Sequence, residues 1–411
     1  MIDQRILRAK HVVSELVSQT VTVAPGIERQ QMIGDLLEQQ PQEKLYQLRQ
    51  GMEYHMLCME SKEASDLDFG GIGCNGLSWY RIHGDKRPDL QMGSFTPDEA
   101  DVMLLNLLLK VQRQEVWETR QLHFGYQVVA PPGPMRFRAT LYFELDHLAL
   151  SVRHITTEVR PFAALGLHRN VARLMSLEYQ NMGLVLVTGI TGSGKSSTLD
   201  TIIDANNRHS DGHIVIIADP LEHLHVSQRC VVRQREVGRD VRSFRDGVTQ
   251  SLRQDPDIIV IAEMRDAETF GAVLEAADSG HKVFATLHTS SAMESIDRIL
   301  GETPPNEQAR VRERLSTLLT CVISQKLAPA LNGKLVLAKE VMVSNAAIRS
   351  AIRNNHSDEI YQVIQQGGNE GMITMEQDLA RLHREKLISY NEALNTANHK
   401  KRLEDLVKFS G

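Results

Sequence analysis

The sequence predicts an α/β protein: a mostly parallel β-sheet with helices on both faces, preceded by a mixed α+β region and followed by a helical tail. Three observations carry this. Apolar runs at 184–188, 214–217, 258–261 and 282–286 alternate with stretches of helical periodicity, as in strands joined by crossover helices. The first run ends in a glycine-rich loop that opens a helix. Upstream, 65–156 is made of short β-type runs instead.

Taken in order, the chain opens with helical spacing from Ile6 to about Met59, through Leu7, Val13, Leu16, Val17, Met32, Leu36, Leu37, Leu45 and Leu48. Pro25 and Gly26 break it. "LSWYRIHG", "LHFGYQVV", "FRATLYF" and "HLALSVRHI" then read as strands, and "TPDEADVMLLNLLLKVQ" as one helix with Thr96 as N-cap and Asp98 and Glu99 in its first turn. We expect five segments: a helical extension at 1–60, an α+β domain at 61–156, a linker at 157–165, the parallel-sheet domain at 166–344 and a helical region at 345–411. The helical stripe of 1–60 is expected to cap the α+β domain; docking a partner is the alternative use.

The formal net charge of −6 lacks the basic excess of a nucleic-acid binder. Cys58, Cys74, Cys230 and Cys321 are scattered without a CxxC pair, which speaks against a zinc site and for a reducing compartment. The start lacks the apolar segment of a signal peptide, and no apolar run approaches a bilayer span. A cytoplasmic protein is expected.

Gly189-Ile190-Thr191-Gly192-Ser193-Gly194-Lys195-Ser196 is the strongest chemical signal, and Ser197 continues it into the helix. Glycines let successive N–H groups wrap a phosphate, and the helix opening at Lys195 aims its free amides at the anion. Lys195 is expected to reach the β/γ-phosphates of ATP, and Ser196 to ligate Mg2+. Glu263 follows the run Ile258 to Ile261, where it can support Mg2+. His288 ends a third run, where it can sense the γ-phosphate. In "IVIIADPLEHLH" a strand stops at Ala218-Asp219-Pro220 and brings Glu222 toward a surface.

These motifs, in this order, resemble the secretion ATPase superfamily that powers type IV pili and type II secretion. "GITGSGKSSTL" is similar to its Walker A, "ADPLEHLH" to its Asp box, "DPDIIVIAEMRD" to its Walker B and "GHKVFATLHTSSAMESIDRIL" to its His box. "VVRQREVGRDVRSF", "AIRSAIRNN", "IYQVIQQGGNEGMITMEQDL" and "LISYNEAL" resemble the PilT-type retraction ATPases within it, and the tetracysteine motif of the assembly ATPases is missing. The resemblance covers roughly 61–400 and leaves 1–60 unexplained.

The resemblance implies a RecA-like P-loop ATPase domain behind a PAS-like N-terminal domain. It makes Glu222 the catalytic base, with Ala218 standing where the family has a first glutamate. Ala262 in place of glycine, and Ser350, Ala351 and Asn354 in the Ala-Ile-Arg motif, are lesser departures. It further implies a homohexamer in which Arg138 and Arg153, with Arg81 a weaker candidate, reach a neighbour's γ-phosphate in trans. The implied function is an ATP-hydrolysing motor for pilus retraction and twitching motility, acting on a polytopic platform protein at the cytoplasmic face of the inner membrane. The alternatives are a PilU-like accessory subunit that binds nucleotide with weak or no hydrolysis beside a paralogous ATPase, and a secretion-system ATPase.

Overall fold

The computed structural model describes residues 2–20, 23–131, 133–155 and 159–408. Contacts divide the chain into two units, Met1–Thr157 and Glu158–Gly411. In the expected 157–165 linker, 157 and 158 lie outside the described residues, and Phe162–Leu165 forms a short 3-10 turn. Residues 1 and 409–411, at the two ends, also lie outside them.

The N-terminal unit begins with helices α1 (Gln4–Ser18), α2 (Ile27–Glu38) and α3 (Gln42–Ser61). Strands β1 (Ala64–Gly70), β2 (Ser78–Ile82) and β3 (Asp85–Asp89) follow, then α4 (Pro97–Leu107), α5 (Lys110–Thr119), β4 (Gln121–Ala130), β5 (Gly133–Glu144) and β6 (His147–Ile155). The six strands form an antiparallel sheet in the order β3-β2-β1-β6-β5-β4. One face is apolar: Leu67, Phe69, Phe137, Leu141, Leu150 and Val152 share a core with Ile6, Val13, Leu16, Leu48, Met52 and Met56. The apolar stripe of the first sixty residues is therefore used inside this unit, against its own sheet.

Thr96 caps α4 through a reciprocal pair: its hydroxyl accepts from the Glu99 amide at 3.3 Å, and Glu99 accepts from the Thr96 amide at 2.8 Å. The helix expected to run on through Gln112 instead divides. Leu109 is extended, its amide donates to the Gln112 side chain at 2.9 Å, and Arg113 Nε takes the Leu105 carbonyl at 2.9 Å. These side chains satisfy the broken ends, so a second helix starts at no cost in unpaired backbone. Strands β1 and β3 carried no apolar signal, because β1 alternates aspartates with core residues and β3 ("DKRPD") is polar throughout.

The C-terminal unit contains α6 (Arg169–Met175), β7 (Gly183–Thr188), α7 (Lys195–His209), β8 (Gly212–Ala218), β9 (Cys230–Glu236), α8 (Phe244–Ser251), β10 (Ile258–Ile261), α9 (Ala267–Asp278) and β11 (Lys282–Leu287). Then come α10 (Ala292–Gly301), α11 (Gln308–Leu318), β12 (Leu319–Pro329), β13 (Leu335–Val343) and the helices α12 (Ala346–Arg353), α13 (Ile360–Gln366), α14 (Met375–Arg384), α15 (Tyr390–Thr396) and α16 (Lys400–Lys408). The sheet order is β13-β12-β7-β11-β10-β8-β9, parallel except for β13. Alternate residues sort into two cores, Leu184, Leu186, Ile259 and Ile261 on one face and Val185, Val187, Ile258 and Val260 on the other. Both faces are covered, which is why these strands read as continuous apolar runs. The whole is the α/β architecture that the sequence predicts, a mostly parallel sheet covered on both faces behind an N-terminal α+β unit.

Candidate active site

Four of the parallel strands end at the same edge of the C-terminal sheet, and each delivers a polar residue there. Strand β7 ends at Thr188, followed by the glycine-rich loop. Gly189, Gly192 and Gly194 have φ of 150°, 80° and 86°, in the region closed to side chains. A Cβ on Gly189 would lie 2.4 Å from the Gln325 carbonyl oxygen, so here glycine is required by space as well. Thr191, Ser196 and Ser197 are exposed, and Ser193 is buried. Gly194 caps α7 without a side chain, leaving the first amides of the helix available to an anion.

Lys195 folds over the loop. Its ammonium donates to the Gly189 carbonyl at 2.8 Å and the Ile190 carbonyl at 3.2 Å, and lies 3.4 Å from His288 Nδ1. Burial pulls its pKa down, opposed by the charges of Glu263 and Glu222. Glu222 is half-buried in the segment after β8, near enough for its charge to be felt at Lys195.

Glu263 follows β10. One carboxylate oxygen accepts from Arg265 Nη2 at 2.8 Å, and the other lies 3.1 Å from His288 Nε2. Burial works to raise this carboxyl, but Arg265, His288 and Lys195 outweigh it and hold Glu263 below its ordinary range. His288, directly after β11, is pushed the other way: burial and the Lys195 ammonium lower its pKa, so it is neutral at pH 7. Since the ammonium can only donate to Nδ1, the proton sits on Nε2 and is donated to Glu263. Lys195, His288, Glu263 and Arg265 thus form one chain of contacts, which continues to Asp219 at 4.0 Å from Arg265. A neutral imidazole between a cation and a carboxylate can pass a change at the phosphates to the segment behind it.

The structure brings Lys195, Glu263 and His288 together, with Glu222 within electrostatic reach. Sequence reasoning missed two neighbours. Arg265 could have been found, as a base two residues beyond Glu263 in a motif already singled out. Gln325 could not: β12 follows the loop by more than a hundred residues and only the sheet order sets it beside β7. Its amide donates to the Ser193 carbonyl at 2.8 Å, and the neighbouring Ser324 accepts from Thr188 Oγ1 at 2.9 Å. Ala218 is buried at the end of β8, in register with the buried Glu236 of β9. Glu236 accepts from the Leu221 amide at 3.1 Å, so a carboxylate on the neighbouring strand holds the segment carrying Glu222.

Arg138 and Arg153 belong to the N-terminal unit and are paired there, opposite each other on β5 and β6. The register extends into a row across the open face of all six strands: Lys86, Arg81, Asp66, Arg153, Arg138 and Gly125. Asp66 is the only acid in it. It accepts from Arg153 Nε at 2.8 Å and lies 3.6 Å from Arg81 Nε. Burial works to raise Asp66, but Ser65, Arg153 and Arg81 hold it ionised below the usual range.

The model of the type II/IV secretion system protein family matches residues 135–406. The chain belongs to that family. It is 38% identical over 344 residues to the type IV pilus retraction ATPase PilT of Pseudomonas aeruginosa, covering 83% of this chain and 97% of that protein. It is 36% identical to a twitching motility protein of Neisseria gonorrhoeae, over 78% of this chain and 84% of that one. Among solved structures, the pilus retraction motor PilT with bound ADP superposes with a TM-score of 0.76 at 36% identity, covering 85% of this chain and 98% of that chain. As in other members of the family, the chemistry here is that of an ATPase, and the adenine nucleotide is its substrate class.

Proposed function

We propose that this chain is the ATP-hydrolysing subunit of a motor that retracts type IV pili and so powers twitching motility. The observation that carries the reading is the convergence of Lys195, His288 and Glu263 at the strand ends beside the glycine-rich loop. Near full-length similarity to a retraction ATPase supports it. In the mechanism, the loop amides of Gly189 to Gly194 and the first amides of α7 cradle the phosphates, and Lys195 swings from its carbonyl partners to the β/γ-phosphates. Glu222 orients the attacking water and takes its proton. Ser196, exposed at the start of α7, and the ionised Glu263 are suited to a hard divalent cation. They would hold Mg2+, which would supply neutralising charge on the phosphates. His288 reports the loss of the γ-phosphate through its bonds to Lys195 and Glu263.

Arg138 and Arg153 serve a neighbouring subunit's site in a homohexamer, with Asp66 steadying Arg153 when no phosphate is present. The ring works on a polytopic platform protein at the cytoplasmic face of the inner membrane and is held there by that partner. No described helix is long and apolar enough to cross a membrane. The test is phosphate release from ATP and Mg2+ by the purified full chain, beside Lys195→Ala. Loss of release in the variant is expected; equal release by both chains would overturn the reading.

A further inference from the structure

The segment that carries His288 is tied down from behind. After β11 ends, His288 to Ser291 form a short connection and α10 begins at Ala292. The Ala292 amide, the first of α10, donates to Glu340 Oε1 at 2.9 Å. Glu340 lies on β13 and is 3% exposed. The same carboxylate is hydrogen-bonded by the amide of Met375, the first residue of α14. One buried side chain therefore holds the leading amides of two helices that are more than eighty residues apart in sequence.

A second tie runs in parallel. Asn398, between α15 and α16, donates to the Ser290 carbonyl at 3.4 Å, and its side-chain oxygen accepts from Lys326 Nζ at 2.6 Å. Lys326 also donates to the Thr396 carbonyl at 2.7 Å. Beside Met375, the fully buried Glu376 accepts from the His399 amide at 2.8 Å and the Tyr361 hydroxyl at 3.1 Å. At the downstream end of the His288 connection, Ser290 and the adjoining Ala292 are thus both bonded to groups fixed by the C-terminal helices. Among the described residues, neither Glu340 nor Asn398 hydrogen-bonds to Lys195, Glu263 or His288. What they set is where the connection leaves His288, whose own contacts at 3.1 and 3.4 Å leave little room for drift.

We propose that Glu340 and Asn398 are positioning residues that lock the His288 connection to helices α14 to α16, so that hydrolysis at the strand ends and the placement of the C-terminal helices are one coupled change. The inference rests on His288 acting in the ATP site as described above. A force or partner that shifts the C-terminal helices then changes turnover through His288, and no ligand contact at the phosphates is needed.

The experiment measures kcat, KM and binding of a fluorescent ADP analogue on the full chain, with hydrogen exchange across 286–296. Asn398→Ala, at a half-buried site, is expected to lower kcat about 3- to 10-fold with nucleotide affinity within 2-fold, and to speed exchange at 288–292. Glu340→Ala is expected to lower kcat at least 10-fold, and Glu340→Gln, which keeps an acceptor for Ala292, to recover most of it. In a His288→Ala background Asn398→Ala is expected to cost nothing more, since its effect passes through His288. If Asn398→Ala leaves kcat and exchange unchanged while Lys195→Ala abolishes turnover, this inference fails and the ATPase reading stands. An undiminished loss in the His288→Ala background also overturns it. Equal turnover by wild type and Lys195→Ala overturns both.

Discussion

The two sheets of this chain place charge in different ways. The C-terminal sheet is parallel and covered on both faces, so polar side chains gather at one edge, after the strands end. The N-terminal sheet is antiparallel with one face open, and four of its six strands place a basic residue in one row across it, with Asp66 among them. The first arrangement gathers charged groups at the strand ends, where Lys195, His288, Glu263 and Arg265 bond to one another. The second lays four basic residues along one face, countered by Asp66 and Asp68, where they can meet an anion presented from outside.

The largest expected effect is at the strand ends. Glu222→Gln is expected to lower turnover about 10²- to 10³-fold while nucleotide binding persists, because the carboxylate orients water and leaves the phosphates to the loop. Single-turnover hydrolysis beside equilibrium binding checks it; parallel loss of both would move Glu222 from catalysis to binding.

Ala218→Glu sharpens what the strand-end arrangement tolerates. It would set a second carboxylate beside the buried Glu236 in the same register. We expect a loss of about 3 kcal/mol in stability, read by denaturant unfolding, with no gain in turnover. A faster, equally stable variant would mean that the site lacks an acid there and that the chain is an impaired form of its relatives.

Arg153→Ala tests the open face. Turnover is expected to fall about 10- to 100-fold with the melting temperature nearly unchanged, since Arg153 is mostly exposed and its ion pair is with Asp66. Mixing Arg153→Ala with Lys195→Ala chains should restore activity above either alone, because one supplies the arginine and the other the phosphate loop. No recovery in mixed rings would confine the arginine row to the subunit that carries it.

Gln325→Leu has a smaller effect at the strand ends. It removes the donor to the Ser193 carbonyl, and an unpaired buried acceptor costs about 1–2 kcal/mol. Nucleotide affinity should drop about tenfold as the loop loosens, measured by titration of a fluorescent nucleotide; unchanged affinity would make Gln325 a packing residue only.

The difference between the sheets also explains what could be read in advance. Strand-end residues follow apolar runs in sequence, so Lys195, Glu263 and His288 announce themselves and their convergence follows from parallel pairing. The arginine row depends on register between strands, which no local pattern contains; Arg138 and Arg153 were reached only through resemblance. Strand β9 ("CVVRQRE"), with its charges, and β12 with β13 near the end of the chain were not foreseen either, and with them went Glu236, Gln325 and Glu340. Their roles are to hold other groups, and a residue that acts through a neighbour has no motif of its own.

The smallest effect is the response of the N-terminal unit to acid. His55, at the centre of the N-terminal core between Phe69 and Phe95, is bonded at Nδ1 to Ser78 at 2.8 Å, and burial drives its pKa down to about 3. A base whose folded pKa lies below its unfolded one stabilises fully above the unfolded value near 6.5 and loses that contribution as pH falls toward 3. His154 has the same sign, while His147, raised by Asp101, already contributes fully below pH 6.5. In the C-terminal unit burial raises Glu340 to about 7, a contribution that grows as pH falls from 7 toward the usual carboxylate range, while His223 and His288, lowered by burial, have the sign of His55. Lys282, lowered to about 7, has completed its loss by then. His55 by itself should therefore cost the N-terminal unit about 1.5 kcal/mol between pH 6.5 and 5. The chain's two tryptophans, Trp79 and Trp117, both lie in that unit, so their fluorescence follows its unfolding alone. His55→Gln should flatten most of the slope seen by tryptophan and leave the slope of nucleotide-stabilised unfolding of the other unit as it was. An unchanged tryptophan slope would mean that His55 titrates alike in the folded and unfolded chain and that other groups carry the acid response.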